Sequence, residues 1–182
     1  KSTAKGLRRV FGSTTTALTR LTEIPLLVVP EDASFKKPVN IALASDMDQE
    51  TSAETVDLLK QLGEKFSSKL SVVWVVEEGL QETYTKRLQP TAILNNLKEM
   101  NPVYEFPKGS NVAQALEQYA EENSIDLMAV IPHKHSFLNR LFVESTTTHL
   151  IFHTHIPLLL LHQQKSGDTK AEAGINDFSE KH

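Results

Sequence analysis

The chain has 182 residues, 40% of them hydrophobic, with a formal net charge of −4 and a pI near 6.0. That balance leaves room for a core of ordinary size and gives no general attraction to nucleic acid or to an anionic membrane. There is no cysteine, which excludes disulfides, thiolate metal sites and thiol catalysis and permits an intracellular compartment.

In chain order, the first stretch, "KSTAKGLRRVFGSTTT", lacks a continuous apolar run and does not read as a signal peptide. It begins without Met and reads as a cut or processed piece. "GSTTTALTRLTEIPLLVV" (12–29) reads as a helix leading into a strand. "PEDASFKKP" (30–38) is polar and bounded by prolines, a linker over 31–38. "VNIALAS" (39–45) is a β-branched and apolar run, a buried strand. "DMDQETSAETVDLLKQLGEKF" then places Val56, Leu59, Leu62 and Phe66 at helical spacing, with Ser52 or Thr51 as cap. "KLSVVWVVEE" (69–78) is a strongly apolar strand. "TAILNNLKEM" (91–100) is helical, with Ile93, Leu94 and Leu97 on one face and Pro90 just before its start. "VYEF" (103–106) is a short strand. In "NVAQALEQYAEENS" (111–124) Asn111 caps a helix whose stripe is Val112, Ala115, Leu116 and Tyr119. "DLMAVIP" (126–132) is a strand, 135–154 is helical in one or two pieces, and "IPLLLLH" (156–162) is the last strand. The tail, 163–182, is polar and aperiodic and reads as disordered or a surface arm. Both "IPLLVV" and "IPLLLL" fall far short of the roughly 20 residues a membrane helix needs.

Strands alternate with helices, and the strands are continuously apolar. That pattern predicts an α/β domain over 39–162: a doubly wound, five-stranded parallel sheet with helices on both faces.

The chain also repeats itself. Shifted by 132 positions, "GSTTTALTRLTEIPLLVV" falls on "ESTTTHLIFHTHIPLLLL" (144–161) with ten identities in eighteen. Low complexity explains the threonine triplets but not "T-x-I-P-L-L" in the same register. Residues 1–30 therefore read as the closing helix and edge strand of a preceding repeat, too short to fold alone. They are expected to pack on the second unit or on a partner chain.

Gly12-Ser13-Thr14, then a helix, then "IPLLVVP" resembles the closing segment of a universal stress protein domain, where a G-x2-G-x9-G-[ST] motif precedes the last helix and strand. Asp46 ends the first strand of 39–162, where nucleotide-binding members carry an aspartate. "YAEENSIDLMAVIP" resembles the stretch before the motif, and residues 133–161 resemble the glycine-poor version in tandem members from the Bacteroidetes. The resemblance implies a cytoplasmic, mostly non-catalytic domain that dimerises or pairs in tandem, some members binding ATP. It also implies that the last strand is the pairing edge. The predicted interface residues are Ile24, Leu26 and Val28 on one copy and Ile156, Leu158 and Leu160 on the other, within one chain or between two.

A nucleotide site has a physical rationale. Glycines let backbone approach phosphate, and a helix N-terminus favours an anion. In the second unit Glu144 stands where the last motif glycine would be, and "IPHKH" (131–135) replaces the earlier glycines, so ATP is not expected there. Gly12, Ser13 and Thr14 keep the end of the motif, but Ser2 stands where its preceding glycine belongs, with Gly6 nearby. Asp46 either hydrogen-bonds a ribose or caps the turn "SDMDQ". ATP or AMP held through Gly12, Ser13, Thr14 and Asp46 is the alternative; no cofactor is assigned.

His149 and His153 lie four residues apart, with His155, His133 and His135 nearby, the ingredients of a zinc site. Their counterparts in the copy are Ala17, Leu21 and Glu23, which favours a structural reading. No metal ligand is assigned. No G-x-S-x-G or GxxxxGK[ST] occurs, so no catalytic residue is assigned and the chain is read as a non-enzyme. The leading expectation is a regulatory stress-response module that self-associates and meets an unknown protein partner. The alternatives are an ATP- or AMP-binding, slowly hydrolysing domain and a histidine metal protein.

Overall fold

The computed structural model describes residues 24–30, 33, 36–45, 52–77, 91–131 and 155–162. The strands are β1 (Leu26–Val28), β2 (Asn40–Ala44), β3 (Lys69–Val73), β4 (Val103–Glu105), β5 (Leu127–Val130) and β6 (Leu158–Leu160). The helices are α1 (Asp57–Phe66), α2 (Ala92–Leu97) and α3 (Val112–Glu122). A 3₁₀ turn, Ala53–Val56, leads into α1, and another, Lys98–Met100, follows α2.

The strands form one sheet in the order β1-β6-β5-β2-β3-β4. The five strands expected in 39–162 are all present and pair in parallel: β2 with β3 and β5, β3 with β4, β5 with β6. Chain order runs outward from β2 through β3 to β4, then returns through β5 to β6, the doubly wound arrangement. The sheet has six strands rather than five, because β1 joins it antiparallel to β6.

Two apolar layers sandwich the sheet. On one face Ala113, Leu116, Tyr119 and Ala120 of α3 pack on Ala42, Ala44, Val73, Met128 and Val130. On the other, Val56 and Leu59 with Ile93, Leu94 and Leu97 pack on Ile41, Leu43, Leu70, Val72 and Ala129. β2 and β5 are buried on both faces, as their continuous apolar runs demand. At about 1.5–3 kcal/mol per large apolar side chain withdrawn from water, these layers dominate the stability.

Local chemistry fixes the element ends. The Asn111 side chain accepts from Gln114 N, and Thr91 Oγ1 accepts from Leu94 N, the N-caps of α3 and α2. Ser52 makes no cap bond to the backbone; its hydroxyl lies 3.4 Å from that of Thr55. The helix predicted there therefore starts as a 3₁₀ turn. No glycine ends these helices. Ser67, Asn101 and Ser124 take the left-handed conformation instead, with φ of 52°, 49° and 50°. Asp126 clamps the start of β2: its carboxylate accepts from Val39 N (3.0 Å) and Asn40 N (2.9 Å), while Asn40 Nδ2 donates to Ser124 O.

Candidate functional site

In a doubly wound sheet, ligands bind beyond the carboxyl ends of the strands, at the point where strand order reverses. Here that point lies between β2 and β5. Its described walls are Ala44 and Ser45 on one side and Val130 and Ile131 on the other. Ser45 is the only polar side chain among these four and is nearly buried, and Ser45 N donates to Val73 O.

Beside this point a small cleft opens between Ala44, Ser45, Val73, Trp74, Val112 and Leu116. It holds about 20 Å³, the room of roughly one water. Two features lie beside it. The β3–β4 ribbon continues past Val73: Trp74 N donates to Glu105 O, Val76 N to Pro107 O, and Gly109 N to Val76 O. Gly109 also brings the ribbon against α3, where an added Cβ would stand 2.8 Å from that of Ala115. The apolar run "KLSVVWVV" thus pairs regularly only to Val73, then by a single bridge between Val76 and Lys108. Glu77 beyond it is exposed, as are Glu121 and Glu122 on α3.

Of the predicted nucleotide residues, Gly12, Ser13, Thr14 and Asp46 all lie outside the described residues, and so does Glu144. His133, His135, His149 and His153 do too. Among the described residues no group of three or more potential ligands could hold a metal ion. Burial raises the Tyr104 and Tyr119 hydroxyls above the ordinary phenol range, with the Ser71 hydroxyl pulling Tyr119 the other way. Neither tyrosine lines the cleft.

The second candidate site is the strand edge. β1 and β6 pair Leu26 with Leu160, Leu27 with Leu159 and Val28 with Leu158. Five of the six residues named for this edge come together on the α3 face of the sheet: Val28, Leu158 and Leu160 are buried in its cluster, and Leu26 and Ile156 pack against it. Ile24, cut off from the strand by Pro25, stays 68% exposed. Leu27 lies on the other face, opposite Leu159, and is 55% exposed.

Comparison with known proteins supplies the remaining context. Residues 98–162 match the model of the Universal stress protein family. No curated protein matches the chain. Its fold is similar to a universal stress protein from Archaeoglobus fulgidus DSM 4304 (TM-score 0.59, 14% identity, 82% of this chain and 53% of that one). It is also similar to a putative universal stress protein from Pseudomonas aeruginosa UCBPP-PA14 (TM-score 0.57, 13% identity, 84% and 57%). A third similar structure is a universal stress protein in complex with cAMP (TM-score 0.52, 15% identity, 71% and 100%). The chain spans little more than half the length of the first two. No helix among the described residues is long and apolar enough to cross a membrane. The sheet order and the two helix layers make this an α/β protein with a fold similar to that of universal stress proteins, and its residues 98–162 match that family's model.

Proposed function

We propose that the chain is a non-catalytic, cytoplasmic regulatory protein of the universal stress type, whose task is to pair α/β units through their last strands. Residues 1–30 are the end of one repeat, 31–38 the linker, 39–162 a complete second repeat, and 163–182 a tail. The observation that carries this reading is the antiparallel pairing of β1 with β6, strands that the 132-residue repeat makes equivalent. Each repeat then contributes the same three positions to the joint, the geometry of an isologous interface.

The second reading is nucleotide binding. It draws on the relative in complex with cAMP and on Gly12, Ser13, Thr14 and Asp46. Against it stands Glu144 in the motif position. Titration calorimetry of the chain with ATP, AMP and cAMP, each with Mg²⁺, separates the two readings. The pairing reading expects no saturable heat at nucleotide concentrations up to the millimolar range. Stoichiometric binding tighter than about 100 μM, some 5.5 kcal/mol on the affinity scale, would replace it with the second. Loss of such binding in Asp46→Ala would assign the ribose.

A further inference from the structure

Among the described residues β4 ends the sheet on the side away from β1. Its side chains are correspondingly open: Val103 is 56% exposed and Tyr104 36%. Tyr104 stands beside Val72, on the face covered by α1 and α2. Glu105 stands beside Val73 on the α3 face, and Val103, two residues back, shares that face.

The backbone edge is narrower than the strand. Trp74 N donates to Glu105 O, so the polar backbone groups of Glu105 face β3. These groups alternate sides along a strand. Those of Val103 therefore face β3 as well, and within β4 only Tyr104 turns its N–H and C=O outward. One donor and one acceptor on a single residue match a two-fold axis. A second β4, antiparallel and with its own Tyr104 directly opposite, exchanges both bonds as the hydrogen-bonded pair of an antiparallel ladder.

The flanking residues choose the register. With Glu105 on the axis, two carboxylates would stand face to face, which is unfavourable. With Val103 on the axis, Tyr104 would meet Pro102 of the other copy, which has no N–H to return. With Tyr104 on the axis, Glu105 stands opposite Val103 of the other copy and no like charges meet. The two tyrosine rings then share the α1–α2 face as a cross-strand aromatic pair.

We propose that β4 is a self-pairing edge: a second copy of the chain adds its β4 antiparallel to this one, Tyr104 opposite Tyr104, and one sheet runs through both copies. A second copy is the occupant because its strand arrives already ordered and complements this one residue for residue. The contact lies at the far end of the sheet from the β1–β6 joint and stands independently of it. A three-residue strand covers far less than the roughly 800 Å² per partner of a standard interface, so the expected dissociation constant is about 100 μM rather than nanomolar.

Sedimentation equilibrium of the 182-residue chain, from about 10 μM to about 1 mM to bracket that affinity, tests this. The mass is expected to rise with concentration from 20.3 kDa toward twice that value. Tyr104→Pro removes the outward donor and no ladder bond to β3, and is expected to weaken dimerisation at least about tenfold with circular dichroism unchanged. Val103→Glu and Val103→Lys decide the matter even where that proline disturbs the strand. Both face Glu105 of the other copy, so the first is expected to weaken dimerisation about fivefold or more and the second to tighten it. A mass of 20.3 kDa throughout, association indifferent to Val103→Glu, or equal weakening by Val103→Lys overturns the proposal. Association lost in Leu27→Asp but kept in Val103→Glu also overturns it, by moving the contact to β1.

Discussion

Leu27 and Val28 are neighbours in sequence, both apolar, and should respond in opposite ways to the same charge. Val28 is 5% exposed against Leu158 and Leu160. Val28→Asp forfeits about 1.5–3 kcal/mol of apolar burial and leaves a carboxylate buried without a partner, at a further cost of about 1–3 kcal/mol or more. The sum, about 2.5–6 kcal/mol, is capped by whatever holds β1 on β6, because the strand can leave rather than bury the charge. Leu27→Asp keeps its carboxylate in water and loses only the contact with Leu159, about 1 kcal/mol or less. Urea unfolding followed by circular dichroism and by the fluorescence of Trp74, the only tryptophan, measures both. Limited proteolysis shows whether β1 has detached. Equal losses, or a larger loss for Leu27→Asp, would refute the face assignment and with it the register, since a one-residue slip exchanges the two faces.

Three further outcomes follow from the geometry. Asp126→Ala removes the acceptor of two backbone N–H groups at the start of β2 and should cost about 2 kcal/mol in urea unfolding, with Asp126→Asn recovering roughly half. Ser67→Gly and Ser124→Gly relieve left-handed backbone at φ 52° and 50°; each should stabilise by about 0.5–1 kcal/mol, read as a rise in the unfolding midpoint. Burial, partly opposed by the Ser71 hydroxyl, raises the Tyr119 phenol above 10.0 in the folded state. Its contribution is then complete below pH 10 and lost as the pH climbs through the folded value. Stability should fall in that alkaline window, and Tyr119→Phe should flatten the fall in melts taken between pH 9 and 11.5.

Periodicity made most of this fold legible. Runs such as "NIALA" and "LMAV" are apolar without alternation because helix layers cover both of their faces. Asn111 announced its helix because a cap acts within three residues. What stayed hidden acts over distance or against local preference. The partners of Asp126 lie more than eighty residues away, and nothing in "NSIDLMAV" points to them. The helix ends at Ser67 and Ser124 use left-handed serine where glycine would have signalled the stop. Ser52 matched the cap pattern, yet its hydroxyl turns to Thr55. The run through Val76 was apolar enough for a longer β3, but Ser45 closes the ladder with β2 at Val73. The pairing of β1 with β6 was legible through the repeat and through the family resemblance, not through either strand by itself. The exposure of Leu27 was not legible at all, since the same repeat places it at a buried position.

Among the described residues β1 leaves an open edge, which invites any passing strand, so its shape matters as much as its composition. Pro25 and Pro30 bracket β1, and neither has an N–H to donate. The opposite edge is built alike: β4 is also three residues long, between Pro102 and Pro107. A bare strand arriving at either edge finds only a few ladder positions, each hydrogen bond contributing a net of about 0.5–1.5 kcal/mol, against a loss of chain freedom of about 1–2 kcal/mol per residue ordered. That exchange does not favour binding. A strand that arrived already ordered would avoid that loss, and covering Leu27 and Val29 would add about 1.5–3 kcal/mol for each side chain fully withdrawn from water. The prolines thus shift selection at this edge from backbone to apolar cover.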